Sequence, residues 1–574
     1  MSTGSTTQES WDFIIVGTGP SGSSLAWKLS QAPSRPRILL LEAGLSTNNP
    51  AHRIDGQRWT TFLNADLNWG YKTVPQEHCA GKELDYSRGK LVGGSSAINF
   101  GVFTIGARDD YEYWSELVGD DTFNWANIQK RLKEIENFDS AVKNPLHRHF
   151  AQPKPEDHGS SGPLKLGFAG EWEQDLPGAM EAWKEAGLPW NPDHNSGDPL
   201  GVALGVNSMH NGVRSTARDV LDDAVGKGGS LEILAGKVVK RVVFDDAGKR
   251  AVAVETVGGE IFRARKEIIL SAGSLDTPKI LMHSGLGPAA QLAKYNIPLL
   301  HDIPAVGQNL TDHPLCPVIF LRNPSTNNRT AFFSSQAAQD AALEQWQKDQ
   351  TGPWTSHSSQ VMIGWLKSDT VTASKEFQAL PAETKEFLNR PTIPHFEVAS
   401  HFPIHAISPQ WGDDYSYVCL LALPMNGQSR GEVTLQSSDP EVPLLFNPNF
   451  LAHEFDRRVA VEAVRKVLSL ANHPSFAKDT VGVMAAPKSD SEEDILEYFR
   501  GVTGSSWHMT GTAKMGREDD KEAVVDRRFR VRGVQGLRVA DMSVVPVLVN
   551  GHTQAAAYVT GVTAADVLIK EYEL

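Results

Sequence analysis

The amino-acid sequence predicts an α/β chain, α+β overall. A discontinuous, doubly wound Rossmann-like domain is expected to carry an interleaved second domain with a mixed or antiparallel sheet and helices. Three observations predict this. The first forty-four residues read as strand, glycine-rich turn, helix, strand and terminal acid. An apolar block from Leu231 to Leu270 alternates in the β manner. Strand signals recur near both ends of the chain, which makes the two domains interleaved rather than consecutive. At 574 residues there is room for about two to four folding units of roughly 100–200 residues each.

The elements follow in order. Trp11 to Val16 is a short apolar run closed by β-branched residues, suited to a buried parallel strand. Gly17-Thr18-Gly19-Pro20-Ser21-Gly22 follows at once, and Ser23 to Gln31 places Leu25, Ala26 and Leu29 at helical spacing. A second strand, Arg37 to Leu41, ends in Glu42-Ala43-Gly44, completing one βαβ unit. Residues 64–106, rich in Gly, Ser and Asn, read as extended loop, and 107–155 as helical and charged. The block Leu231 to Leu270 ends in Ile268-Ile269-Leu270. Residues 330–430 carry several tryptophans and read as a mixed sheet-and-helix insert. Phe455 to Leu470 has helical spacing, and the last helix is expected from Gln554 to Tyr572.

Charge and cysteine usage exclude several classes. The net charge of −14 and the lack of any basic run argue against a nucleic-acid partner and disfavour anionic membranes. The 3 cysteines, Cys79, Cys316 and Cys419, lie far apart in sequence, so no disulfide scaffold or local zinc or iron–sulfur pattern is present and no metal is expected. Met1 to Ser10 lacks the basic and apolar regions of a secretory signal. The most apolar long stretch, Val539 to Ile569, is interrupted by Asp541, Asn550 and His552. A soluble, cytoplasmic protein is the expectation.

Gly17, Gly19 and Gly22 form G-x-G-x-x-G between a strand and a helix. The first permits the tight turn, the second lets a pyrophosphate approach the backbone, and the third allows helix and strand to pack closely. The helix start offers free N–H groups and partial positive charge to phosphates. Glu42, at the tip of the second strand, is placed to accept hydrogen bonds from both ribose hydroxyls, and its charge disfavours a 2′-phosphate. Glycine triplets arise by chance in loops; the two strands, the helix and the acid in register carry the assignment. A fingerprint this close to the N-terminus is the usual layout of FAD-binding oxidoreductases, so FAD is the expected cofactor.

Gly89-Lys-Leu-Val-Gly-Gly-Ser-Ser-Ala-Ile-Asn99 is a second glycine-rich loop, able to present N–H groups and hydroxyls to a polar ring edge or phosphate. Gly273 to Gly287 is a third, after the strand Glu267 to Ser271. With these segments the sequence resembles the glucose–methanol–choline (GMC) oxidoreductase family. Residues 89–99 and 273–287 match its two signature patterns, and Val306 to His313 and Gly533 to Ser543 match two further family segments. The resemblance runs from about residue 11 to 570 and looks closest to the aryl-alcohol oxidase and choline dehydrogenase branch. It implies an FAD-binding domain over 11–315 with parts of the other domain inserted, a mainly substrate-binding domain over 316–505, and a return to the FAD-binding domain over 506–570. It also implies that Gly17, Thr18, Gly19, Ser21, Gly22, Glu42 and Ala43 hold the FAD, with Trp69, Gly89, Leu91, Gly94, Ser95, Asn99, Phe100, Gly101 and Val102. Val238, Ala272, Trp507, Ala540, Asp541, Thr553 and Gln554 complete that set.

His508 and His552 each sit among Gly, Ser, Thr and Asn, a composition of tight turns lining a cleft. With 18 histidines present, a bare histidine is more often a surface or core residue than a catalyst. These two fall on the family's active-site positions. Oxidising an alcohol by hydride transfer requires removal of the hydroxyl proton, which a neutral imidazole can take, and a donor to hold the developing alkoxide. The resemblance implies His508 as the base and His552 as the donor, both facing flavin N5. Met509 and Gly551 depart from the family, where Pro often follows the first histidine and Pro or Ala often precedes the second; a looser backbone is expected there. Some relatives link FAD covalently through a histidine at the position of Ile98, so non-covalent FAD is expected.

The implied activity is FAD-dependent oxidation of a primary or secondary alcohol, aromatic or hydrophobic, to the aldehyde or ketone, with O2 or another electron acceptor. The alternative is a redox-neutral lyase or decarboxylase on the same flavoprotein fold. Trp354, Trp365, His395, Phe396, His401, Phe402, Trp411 and Trp507 are candidates for the substrate pocket, although most tryptophans of a large domain are simply core.

Overall fold

The computed structural model describes residues 10–228, 230–355, 360–404 and 415–574. Trp411 lies outside them. The first sheet is built from β1 (Ser10–Val16), α1 (Pro20–Ser30), β2 (Ile38–Leu41), α2 (Ala217–Gly226), β3 (Leu231–Leu234), β4 (Val239–Phe244), β5 (Ala251–Thr256) and β6 (Ile261–Leu270). Its strand order is β3-β2-β1-β6-β5-β4. β1 pairs in parallel with β2 (Phe13 opposite Ile38) and with β6 (Ile14 opposite Ile268). Phe13, Ile14 and Ile15 are fully buried, which is why this strand reads as a continuous apolar run. β6 changes character along its length. Its exposed, alternating first half pairs antiparallel with β5, and Glu267–Leu270 is buried among parallel neighbours.

α3 (Gly273–His283) follows β6. The second sheet is antiparallel, in the order β8-β9-β10-β7-β11. It comprises β7 (Pro314–Arg322), β8 (Met362–Leu366), β9 (Phe396–Ser400), β10 (Ser416–Pro424) and β11 (Thr480–Ala485), with α4 (Glu454–Ala471) between the last two in sequence. Strand alternation sorts its side chains. Phe396, Val398, Val418, Leu420 and Ala422 join the main core on the side of α4. Ile363, Ala399, Leu421 and Leu423 form a separate apolar layer on the other face.

The chain then returns to the first sheet. β12 (Leu537–Val539) pairs in parallel with β6, and α5 (Gln554–Tyr572) packs on α1. The approach of the two helices is close because the contact residues are small: Ser21 Oγ and Ser24 Oγ donate to Ala557 O and Tyr558 O, at 2.7 Å each. Arg538 of β12 is buried and clamps Glu267 of β6 through Nε (2.6 Å) and Nη2 (2.8 Å), and it also meets Glu571 of α5. Arg538→Met removes the partner of a buried carboxylate. It is expected to destabilise the protein by about 3–5 kcal/mol, read as a lowered melting temperature; an unchanged melting temperature would refute the clamp.

The chain from 107 to 155 is α-helical only as far as Ile135, in the helices Arg108–Val118 and Trp125–Ile135, with a short 3-10 helix at Pro145–Phe150. Beyond that, Glu136–Asp139 is a strand paired with Leu164–Gly167, and Pro145, Pro153 and Pro155 interrupt any longer helix. Among the described residues, no helix is long and apolar enough to cross a membrane.

Candidate active site

A large cleft opens where the carboxyl ends of β1, β2 and β6 meet the inner face of the second sheet. Ligands of open α/β sheets bind at such strand ends. The backbone of the first turn is shaped for it. Gly17 has φ +103°, and a Cβ there would lie 2.4 Å from Ser271 O. A Cβ on Gly22 would lie 2.1 Å from Gly17 O, so that glycine serves helix packing. A Cβ on Gly19 would meet nothing within 4 Å: this position faces open space at the start of α1. α1 has no acidic residue in its first turn. Free N–H groups, the positive end of the helix dipole and an open approach suit a pyrophosphate.

Glu42 is buried at the tip of β2. Its Oε2 accepts from Thr18 N (3.1 Å) and Thr18 Oγ1 (2.6 Å), and Oε1 accepts from Gly44 N (2.9 Å). Burial pushes its carboxyl up, against these bonds. The protein thus pins the carboxylate in place, and only the remaining lone pairs are open to a ribose. Across the cleft, Asp541 Oδ2 accepts from Gly273 N (2.9 Å) and Thr277 Oγ1 (2.6 Å), joining the third glycine loop to the C-terminal segment. Gln554, at the start of α5, donates from Nε2 to Gly101 O (3.1 Å) and Val102 O (2.7 Å). Of the residues expected to hold the cofactor, all line the cleft except Gly22, Leu91 and Ala540. Gly22 lies behind Gly17, Leu91 packs with Trp59 and Phe62, and Ala540 N donates to Leu270 O in the sheet. These three act from behind the wall, because their side chains or backbone groups are consumed by packing and sheet bonds.

His508 and His552 come together at the far end of the cleft, their rings 4.9 Å apart and nearly perpendicular. Each is held by residues for which the sequence motifs suggested no role. His508 Nδ1 lies 3.0 Å from Nδ1 of His313. Asp312 Oδ1 accepts from the backbone N–H of both His313 and His508 (2.8 Å each), and its Oδ2 accepts from Ser505 Oγ (2.6 Å). Burial pushes the Asp312 carboxyl up to about 6, against these bonds. Burial, then His552, His313 and Arg88, hold the His508 imidazole well below the usual histidine range, so it is neutral at neutral pH. His552 Nε2 lies 3.1 Å from Glu397 Oε1, and His552 N donates to Thr104 Oγ1 at 2.5 Å. Glu397 is buried on the cleft face of β9, opposite Leu423 of the apolar layer.

The backbone around the pair is tight rather than loose. A Cβ on Gly551 would lie 2.7 Å from Thr104 Oγ1, so close approach of the two segments explains this glycine. Met509 is buried, and its carbonyl accepts from Ser274 Oγ at 2.8 Å. Trp507 adopts the left-handed region (φ 57°), which costs a non-glycine residue roughly 1–2 kcal/mol. Its N–H donates to Ser505 Oγ (2.8 Å), its carbonyl accepts from Arg88 Nη2 (2.9 Å), and its indole donates to Asp85 Oδ1 (2.8 Å). This turn aims the indole and the His508 imidazole into the same cleft.

Trp507 belongs to an aromatic group with Phe62 (5.0 Å between centroids), Phe100 (5.9 Å) and, across Phe100, Phe402 (5.4 Å). All four line the cleft. Of the other described aromatic and histidine candidates for the pocket, none does. Trp354 packs with Phe332 and Trp346, and Trp365 stacks on His194. Phe396 faces the main core, and His395 accepts from Ser368 N. His401 faces Asp175, 3.1 Å away. Strand alternation and core packing, invisible in the composition, turned these rings away. Glu173, Asp175 and His401 are close enough to hold an ion, but Arg329 already meets both carboxylates, so the cation of this cluster is a guanidinium.

Two family models, both described as GMC oxidoreductase, match the chain: an N-terminal one over residues 11–315 and a C-terminal one over residues 427–561. An oxygen-dependent choline dehydrogenase of Brucella anthropi is 30% identical, over 97% of this chain and 95% of its own. Among solved structures, formate oxidase of Aspergillus oryzae RIB40 superposes with a TM-score of 0.89 at 25% identity, covering 99% of both chains. A fungal aryl-alcohol oxidase superposes with a TM-score of 0.85 at 25% identity, covering 99% of this chain and 100% of that one.

Proposed function

The chain belongs to the GMC oxidoreductase family, FAD-binding oxidoreductases acting on CH–OH donors, and on that premise we propose that it oxidises a hydrophobic or ring-bearing alcohol to the aldehyde or ketone. The observation that carries the reading is the facing pair His508 and His552 at the end of a cleft walled by aromatic and apolar side chains. FAD, when bound, supplies the hydride acceptor. The glycine turn and the N-terminus of α1 hold its pyrophosphate, Glu42 its ribose, and the Asn99–Val102 stretch with the start of α5 its ring system. Ile98 offers no atom for a covalent link, so the cofactor is held non-covalently.

Neutral His508 takes the hydroxyl proton on Nε2, because its Nδ1 is turned to His313. His552 has Nε2 against Glu397, which leaves Nδ1 for the substrate oxygen. Only Oε1 of Glu397 is taken by this histidine; its Oε2 is buried at the cleft without a hydrogen-bond partner. Leu315, Ile363, Leu421 and Leu423 exclude water from the reacting end. Electrons leave to O2 or another acceptor.

Anaerobic addition of benzylic, allylic, aliphatic and sugar alcohols, and of choline, to the yellow protein tests this. Benzylic or allylic alcohols are expected to bleach the flavin fastest. Preferential bleaching by choline or sugars would overturn the substrate class. Turnover of a substrate without bleaching and without net oxidation would overturn the reaction in favour of a lyase or decarboxylase.

A further inference from the structure

We propose that His313 is the positioning residue that keeps the cleft-facing nitrogen of His508 unprotonated, by accepting the hydrogen bond of His508 Nδ1–H. The inference rests on the reading of His508 as the base. Two imidazole Nδ1 atoms 3.0 Å apart share one proton. If it sits on His313, His508 must carry its own proton on Nε2, and it faces the cleft as a donor. If it sits on His508, Nε2 is a bare lone pair facing the cleft. Only the second arrangement is a base.

His313 is 1% exposed, and burial drives its imidazole down to about 3, as burial also depresses His508, so both rings are neutral at rest and one donates to the other. Asp312 sets the distance: one carboxylate oxygen accepts from the N–H of both His313 and His508, which locks the backbones carrying the two rings. His313 Nε2 is buried without a partner, so the neutral acceptor form leaves one orphaned N–H. Such a group costs roughly 1–3 kcal/mol in general. It is a cost that apolar packing would have avoided, and a hydrogen bond to the base accounts for a histidine at this position. The motif Val306 to His313 was visible in the sequence, but it offered no reason for its final histidine.

The test uses the FAD-loaded protein labelled with ¹⁵N-histidine. In the resting wild type, two-bond ¹H–¹⁵N correlations, assigned by comparison with His508→Gln, are expected to show His508 protonated on Nδ1 and bare on Nε2. Protonation on Nε2 would overturn the proposal. No substrate is needed, so this result stands apart from whether the protein oxidises alcohols. Kinetics form the second arm. His313→Leu is expected to lower the limiting rate of flavin reduction by roughly 10²–10⁴-fold, with substrate affinity little changed. His313→Asn, whose Oδ1 can replace the acceptor, is expected to recover most of that loss. Equal damage in both variants, or none in His313→Leu, would show that His313 only fills space.

Discussion

His508→Ala is expected to stay yellow and to lose roughly 10²–10⁴-fold in the rate of flavin reduction by the alcohol, the usual contribution of a positioned general base. The side chain is buried against His313 and His552, and its backbone N–H is held by Asp312, so truncation removes the imidazole without removing the turn. The flavin sites on the glycine loops are untouched. Stopped-flow bleaching without oxygen reads the effect, and near-wild-type reduction in the variant would end the base assignment. The pH profile of the wild type follows from the same surroundings. Burial, His552, His313 and Arg88 all depress His508, so its lone pair persists below the ordinary histidine value of about 6.5. Reduction is expected to be flat through neutral pH and to fall only on the acid side. Asp312, with its carboxyl at about 6, titrates in the same acid range. An acid limb near 6 that vanishes in Asp312→Asn would belong to the orienting carboxylate rather than to the base.

The second large effect separates folding from cofactor binding at two glycines of one turn. Gly17→Val is expected to give colourless or aggregated protein. Its left-handed backbone disfavours any side chain by about 1–3 kcal/mol, and its Cβ would press into the Ser271 backbone 2.4 Å away. Gly19→Ala is expected to behave differently. Its Cβ meets no protein atom within 4 Å, so the fold and melting temperature of the apoprotein are retained, while the methyl enters the space where the pyrophosphate approaches. The ratio of flavin to protein absorbance and the apoprotein melting temperature distinguish the two. Full flavin occupancy in Gly19→Ala would place the pyrophosphate elsewhere.

Much of this architecture was legible before any coordinates, for a local reason. The βαβ unit, the last helix and the glycine turn are set by residues within a few positions of one another. Apolar periodicity selects strand or helix, and a backbone such as that of Gly17 admits only glycine. His508 and His552 were marked by their place in the family's motifs; their small, polar neighbours alone would not set them apart from the other histidines. Glu397 left a faint sign: a lone acid inside an apolar strand, which burial alone would penalise.

What the sequence by itself determined is therefore the nucleotide-binding half of the fold and its cofactor class, while family resemblance marked the two histidines. What only the tertiary structure decided is who faces them. His313 and His508 are 195 residues apart, and Glu397 and His552 are 155 apart. Their contacts depend on the register of the second sheet and on how its inner face meets the returning C-terminal segment. The same register turned Trp365 and Phe396 into cores and left Phe402 and Trp507 at the cleft. Side chains alternate across a strand, so a one-residue shift exchanges the two faces, and no local pattern in the sequence states which face will meet the substrate.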